Sequence, residues 1–295
     1  MEEKQFGRVI FIPGENKGRY PFCHSLFIEG PGILIDPASD RKRLFNLEKK
    51  FPVNEVWLSH WHEDHIMHLD LFDHLPFRIH EADAPPLSDL DLFIESYGEV
   101  DKEEKEYWHK ILKEQFHFIP RTPSHFLEDG EVFYFDQLTV EVIAAPGHTP
   151  GHLAMFFREP QILFLGDYDL TKFGPWYGDK NSSIEDTIRS VNKLREIPAK
   201  TWLTCHETGV FESEPGILWD QYLDVIDQRE KKLLDLLKKP KTFDDIVNTW
   251  IIYGKPREPE PFFKFGERLH MAKHLEKLMK EGIVKRQGDN YRRID

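Results

Sequence analysis

Cysteine is scarce in this chain, with only Cys23 and Cys205 among 295 residues. Two distant thiols make neither a disulfide framework nor a structural zinc knuckle, so any metal must be held by histidine and carboxylate. Long apolar runs are also missing. None approaches the roughly 18–20 residues that span a bilayer. The segment Met1–Asn16 has no basic stretch followed by an apolar one, so it does not read as a secretory leader, and the expected location is the cytoplasm. Positive charge is in short supply as well. Of the net −13, residues 218–295 carry +3 and the preceding part −16. Phosphate binding needs clustered Lys and Arg, so a polyanion is disfavoured as the main partner.

What is present is enough to build a core: 40% hydrophobic and 13% aromatic residues. The length suits one large domain and a small one, with the expected division at 1–215 and 216–295. In the first part, short runs rich in Val, Ile, Leu and Phe alternate with turn residues. Val9–Ile12, Ser25–Ile28, Ile33–Ile35, Val56–Leu58, Val132–Phe135, Leu138–Ile143 and Ile162–Leu165 read as strands. Arg41–Lys50 fits a helix, and another is expected near Ser182, with Ser182 and Glu185 as its capping box. Residues of about 80–123 are charged and aromatic, and read as a two-helix insertion broken at Tyr97-Gly98. The insertion either packs on the sheets or acts as a lid over a pocket. After Pro215 the pattern is helical: a long amphipathic helix ending at Pro240, a second opened by Thr242 and Asp245 and running to Gly254, a loop through Phe263, a third helix from Phe265, and a terminal hairpin around Gly288-Asp289.

The most informative string is Ser59-His60-Trp61-His62-Glu63-Asp64-His65, directly after a buried strand. Residues i and i+2 leaving a strand point the same way, so His60 and His62 can converge on one ion. Asp64 and His65 follow once the chain turns, where they can face a second. Three later ends of strand-like runs carry further donors: His148 in AAPGHTPGH, Asp167 in ILFLGD and His206 in TWLTCH. Imidazole and carboxylate suit zinc, with iron or manganese as alternatives.

Together with Asp36 after its own strand, these motifs resemble the metallo-β-lactamase fold superfamily, and its glyoxalase II branch in particular, over residues 8–210. The resemblance implies an α/β fold, a four-layer αββα sandwich with two metal ions at one edge. It implies that His60, His62 and His148 hold the first ion, that Asp64, His65 and His206 hold the second, and that Asp167 bridges them. Asp36 would stand beside the site without being a ligand. His62 sits where the diiron flavoprotein branch has Glu, which favours hydrolysis. The short span from Asp167 to His206 leaves no room for the nuclease insert of the β-CASP branch. Two departures put bulk near the metals: Ile66-Met67-His68 stands where a Gly-Gly pair is usual, and Cys205 and Glu207 flank His206 in place of glycines. The tail resembles the winged-helix-like domain of lactamase-β-like hydrolases, a group that includes an endoribonuclease.

The implied reaction is attack by a metal-bridging hydroxide on a thioester, carboxylic ester or lactone, with Asp64 and Asp167 as the catalytic carboxylates that orient it and accept its proton. The partner is then a small acyl substrate. Nucleic acid is disfavoured, no membrane partner is expected, and the tail shapes the pocket or a homodimer contact. The competing readings are an endoribonuclease on the same ions, a mononuclear iron persulfide dioxygenase and a binding module without catalysis. Most other histidines, His24 and His152 among them, read as surface or satisfied core residues. His68 and the aromatic set Tyr168, Phe173, Trp176 and Tyr177 are candidates for the pocket wall. Lys285, Arg286, Arg292 and Arg293 read as a solvated face.

Overall fold

The computed structural model describes residues 1–294. Strands β1 (Lys4–Phe6), β2 (Val9–Ile12), β3 (Ser25–Ile28), β4 (Ile33–Ile35), β5 (Glu55–Trp57), β6 (Phe77–Ile79) and β7 (His125–Phe126) form one seven-stranded sheet in sequence order. The sheet is antiparallel through β4 and parallel beyond it. Strands β8 (Val132–Phe135), β9 (Leu138–Ala144), β10 (Leu153–Phe157), β11 (Ile162–Phe164), β12 (Thr201–Leu203) and β13 (Val210–Phe211) form a second sheet in the order β13-β12-β11-β10-β9-β8. A parallel β4–β5 pair needs a crossover, and α1 (Arg41–Lys50) supplies it, opened by the Asp40 side chain accepting from the Arg43 N–H.

One apolar cluster joins the two sheets. It runs from Val9, Phe27 and Trp57 to Val140, Met155 and Phe157. The rings of Trp57 and Phe133 meet across it at 4.7 Å. A second cluster lies beneath α5 (Ile184–Arg195) and α6 (Ile217–Leu236), where Val191, Leu194 and Trp219 pack on Ala154 and Leu163. The architecture is thus the sandwich expected from the sequence, with helices outside paired sheets.

The insertion holds three helices rather than the two expected: α2 (Ala84–Ser88), α3 (Leu90–Tyr97) and α4 (Lys102–Glu114). Pro85 and Pro86 start α2 at positions that need no N–H donor, and Asp89 then caps α3 through the N–H groups of Asp91 and Leu92. Helix α5 is capped by Ser183, not Ser182, whose hydroxyl instead donates to the His148 carbonyl.

In the tail, β14 (Lys241–Thr242) precedes α7 (Phe243–Val247). The expected helix to Gly254 stops early because Thr249, Trp250, Ile251 and Ile252 are poor helix formers. The buried Glu267 carboxylate accepts the Ile252 and Tyr253 N–H groups instead, at 3.0 and 3.2 Å. Helix α8 (Glu260–Lys280) begins before the expected Phe265, at a Pro259 cap with Pro261 in its first turn. Strands β15 (Val284–Gln287) and β16 (Asn290–Arg293) form the expected hairpin, and β14 adds to β16.

His24 is buried between the sheet core and the site. Its Nδ1 accepts the Gly14 N–H at 2.8 Å, so the ring is neutral. Burial, with a smaller push from His206, lowers its pKa to about 4. Below pH 6.5 the unfolded chain takes up a proton that folded His24 refuses, so stability falls as pH drops from 6.5 towards 4, by roughly 3 kcal/mol from this residue. His24→Asn keeps an acceptor for Gly14 and does not titrate. Its melting temperature is expected to fall less between pH 7 and 4.5 than that of the parent protein. Parallel pH curves would contradict this assignment.

Candidate metal centre

Four loops bring the donors together at one edge of the sandwich. His60, His62, Asp64 and His65 follow β5, His148 lies between β9 and β10, Asp167 follows β11, and His206 follows β12. His60 Nε2, His62 Nδ1 and His148 Nε2 lie 2.9–3.1 Å from one another. Asp167 Oδ2 stands 3.4 Å from His148 Nε2 and 3.9 Å from His60 Nε2. The same oxygen is 3.3 Å from His206 Nε2, and Oδ1 is 3.0 Å from His65 Nε2. Asp64 completes the second group, 3.4 Å from His206 and 3.8 Å from His65. All seven residues singled out in the sequence therefore meet, in two groups that share Asp167.

The outward nitrogen of each imidazole is engaged, which fixes the ring and turns its other nitrogen inward. His60 Nδ1 meets Ser59 Oγ at 3.0 Å, His62 Nε2 meets Asp179 at 2.7 Å, and His148 Nδ1 meets the Trp176 carbonyl at 3.2 Å. His206 Nδ1 faces the Gly18 and Phe22 carbonyls, and His65 Nδ1 faces Asp36 at 3.0 Å. Asp36, fully buried, also accepts from the Ser59 N–H and hydroxyl. It thus stands beside the donors and braces them.

Burial pushes His60 and His148 well below the ordinary imidazole range, and neighbouring imidazoles add to the effect, so both present lone pairs. Burial acts the same way on His65 and His206, but Asp167 and its carboxylate neighbours outweigh it and hold these two rings above that range. Asp167 is itself held well below the carboxylate range because His65, His206 and His60 overcome its burial. Although only 3.0 Å apart, His65 Nε2 and Asp167 Oδ1 are misaligned, and neither has a hydrogen-bond partner. Buried polar atoms rarely go unpaired. Converging imidazole nitrogens, a shared carboxylate and orphaned buried polar atoms fit the donor set of a dinuclear metal site.

The backbone is shaped for this purpose. Gly166, at φ +57°, turns the chain from β11 into Asp167, and a Cβ there would lie 2.4 Å from His152 Nε2. His152 Nδ1 donates to the Ala145 carbonyl and Nε2 accepts the Asp167 N–H, so this histidine is a satisfied core residue, as expected.

Supporting residues were less visible in the sequence. Asp179, held also by Trp176 Nε1, sits in a Gly-Asp-Lys string that reads only as a turn. Asp83 pins the His148 loop by accepting from the Thr149 hydroxyl and the Gly151 N–H. Cys205 is a buried thiol whose pKa burial raises. A cavity of about 340 Å³ opens over the donors. Phe173 and Trp176 line it, whereas Tyr168, Tyr177 and His68 do not. Phe93 and Ile94 of the insertion pack into the core, and its Tyr97 and Trp108 line the cavity as well.

Residues 19–206 match a family model described as the metallo-beta-lactamase superfamily. An atrochrysone carboxyl ACP thioesterase of Aspergillus fumigatus is 28% identical over 64% of this chain and 52% of its own. A hydroxyacylglutathione hydrolase of Bartonella henselae is 26% identical over 61% of this chain and 68% of its own. The first curated relatives it resembles are spanned over 52% to 67% of their length. The crystal structure of a metallo-beta-lactamase family protein from Thermus thermophilus shares the fold, with a TM-score of 0.72 at 23% identity, over 97% of this chain and 99% of that one.

Proposed function

The chain belongs to the metallo-β-lactamase superfamily, and on that premise we propose that it is a two-metal hydrolase of thioesters or carboxylic esters and lactones. The observation that carries this reading is the convergence of three imidazole nitrogens within 3.1 Å, with Asp167 turned towards both groups. In this reading His60, His62 and His148 hold one ion, Asp64, His65 and His206 hold the other, and Asp167 touches both. Zinc suits the N/O donor set. Residues 1–215 form the catalytic domain, and 216–295 a winged-helix-like one.

Two adjacent divalent ions supply an activated water and polarise a carbonyl at neutral pH. The chain's own residues do the rest. Asp64 and Asp167 orient the water and take up its proton through carboxylate oxygens within 3.4 Å of His206. Asp36 and Asp179 hold His65 and His62 in the tautomer that leaves the inward nitrogen free. The cavity walls bind the substrate and exclude bulk water. The thioesterase and glutathione-thioester names of two relatives support an acyl substrate. The acidic charge of residues 1–217 and the aromatic walls count against an RNA backbone.

The test is a panel of thioesters, aryl esters, lactones and short RNA offered to metal-loaded protein. Turnover of an acyl substrate with none of RNA is expected. One iron per chain with oxygen uptake on glutathione persulfide would overturn the reading. A subtler expectation concerns Asp179→Asn, which weakens the brace on His62. Affinity for zinc should drop about 10–100-fold, read by competition with a chelator. Unchanged affinity would remove Asp179 from the site's support.

A further inference from the structure

Three separate stretches of chain supply much of the aromatic wall of the cavity above the metal centre. Tyr20 comes from the N-terminal part, Tyr97 and Trp108 from the insertion, and Phe262, Phe263 and Phe265 from the first turns of α8. The rings contact one another: Tyr20 stacks on Phe262 at 5.3 Å, and Trp108 meets Phe262 at 5.7 Å and Phe265 at 5.5 Å. Helix α8 is locked against the insertion by Arg268, which donates to both oxygens of Glu104 at 2.7 and 2.9 Å.

In this wall the polar atoms of four rings are already engaged. The Tyr20 and Tyr97 hydroxyls both donate to the buried Glu63 carboxylate. Tyr222 donates to the Asp167 carbonyl and Trp176 Nε1 to Asp179. Above the metal donors, these groups hold no free hydrogen for a guest and present ring faces and edges. A hydroxyl or charge placed against them would lose its water without replacement, whereas an apolar group gains by leaving water. The volume, about 340 Å³, lies at the small end of ligand pockets and leaves room for one or two fused rings.

We propose that this cavity is an acyl-selecting pocket, specific for a flat aromatic acyl group, with Phe262 and Phe263 as specificity-determining residues. The proposal rests on the acyl-hydrolase reading for which part of the substrate enters. It disfavours small hydroxyacyl groups, because they would leave most of the ring faces uncovered.

The test is binding of product-like carboxylates to metal-loaded protein, measured by calorimetry without turnover. Acetate, lactate, benzoate and 2-naphthoate share the carboxylate and differ in what fills the cavity. 2-Naphthoate is expected to bind roughly a hundredfold more tightly than acetate, and lactate no better than acetate. Phe262→Ala and Phe263→Ala, both at half-buried positions, are expected to weaken 2-naphthoate roughly tenfold each and leave acetate unchanged, with melting curves confirming a folded protein. Equal affinities across the series, or 2-naphthoate binding indifferent to both variants, would overturn the proposal. Discrimination among the acids without turnover of any aryl ester or thioester would sink the hydrolase reading alone.

Discussion

Asp167→Ala is expected to lose metal and activity together. Among the described residues no other carboxylate reaches both groups of donors: Oδ2 lies 3.4 Å from His148 and 3.3 Å from His206, while Oδ1 lies 3.0 Å from His65. Alanine removes the shared oxygens and the negative charge that would offset the charge of two buried cations. Loss of a single preorganised electrostatic group in an active site costs about 10²–10³-fold in turnover, and here it also opens the metal cage. Turnover should therefore fall at least that far, with fewer than two ions retained after dialysis. Full retention of both would refute the bridging role.

Arg229→Met is expected to cost the fold about 3–5 kcal/mol, although Arg229 touches no metal donor. This arginine on α6 is buried, donates to the Phe173 and Pro175 carbonyls and to the Tyr177 hydroxyl, and lies over the Phe173 ring at 4.8 Å. Among the described residues no carboxylate pairs with it, so two carbonyls, a hydroxyl and the aromatic rings stabilise its charge. Methionine fills much of the volume but strands two carbonyls, at about 1–3 kcal/mol each where no replacement partner is found, and takes one of two partners from the Tyr177 hydroxyl. A fall of about 10 °C in the melting temperature follows. The same loop presents the Trp176 carbonyl to His148 and carries Asp179 to His62, so metal affinity should weaken as well. Arg229→Lys keeps the charge but not the fork and should fall between the two. A melt within a degree of the parent would show that the loop stands without this arginine.

The contrast between these two residues shows what a sequence can reveal. Asp167 sits in Ile-Leu-Phe-Leu-Gly-Asp, an apolar run ending in a carboxylate, and its meaning is carried by local pattern. The same holds for His60 and His62, placed two apart at a strand end, and for α1, whose Asp40 cap precedes a regular apolar face. Arg229 and Asp179 act on groups 52 or more residues away, and no local period marks such a bond. Where local rules competed, the structure chose by tertiary contact. Ser182 and Ser183 were both able to cap α5, but Ser182 was taken by the His148 carbonyl. The segment after Thr249 lost its helical hydrogen bonds to Glu267. The Pro-rich stretch before Phe265 read as a loop, yet its prolines start α8 and carry Phe262 and Phe263 over the donors. The aromatic wall therefore lay outside what spacing alone could disclose.

The central claim is that one chain holds two ions between the groups that share Asp167. Its most direct measurement is the number of metal ions per chain after reconstitution with zinc and removal of excess, by emission spectroscopy on protein of known concentration. Two ions are expected in the parent protein and fewer in Asp167→Ala. A parent protein that binds one ion or none under those conditions would contradict it.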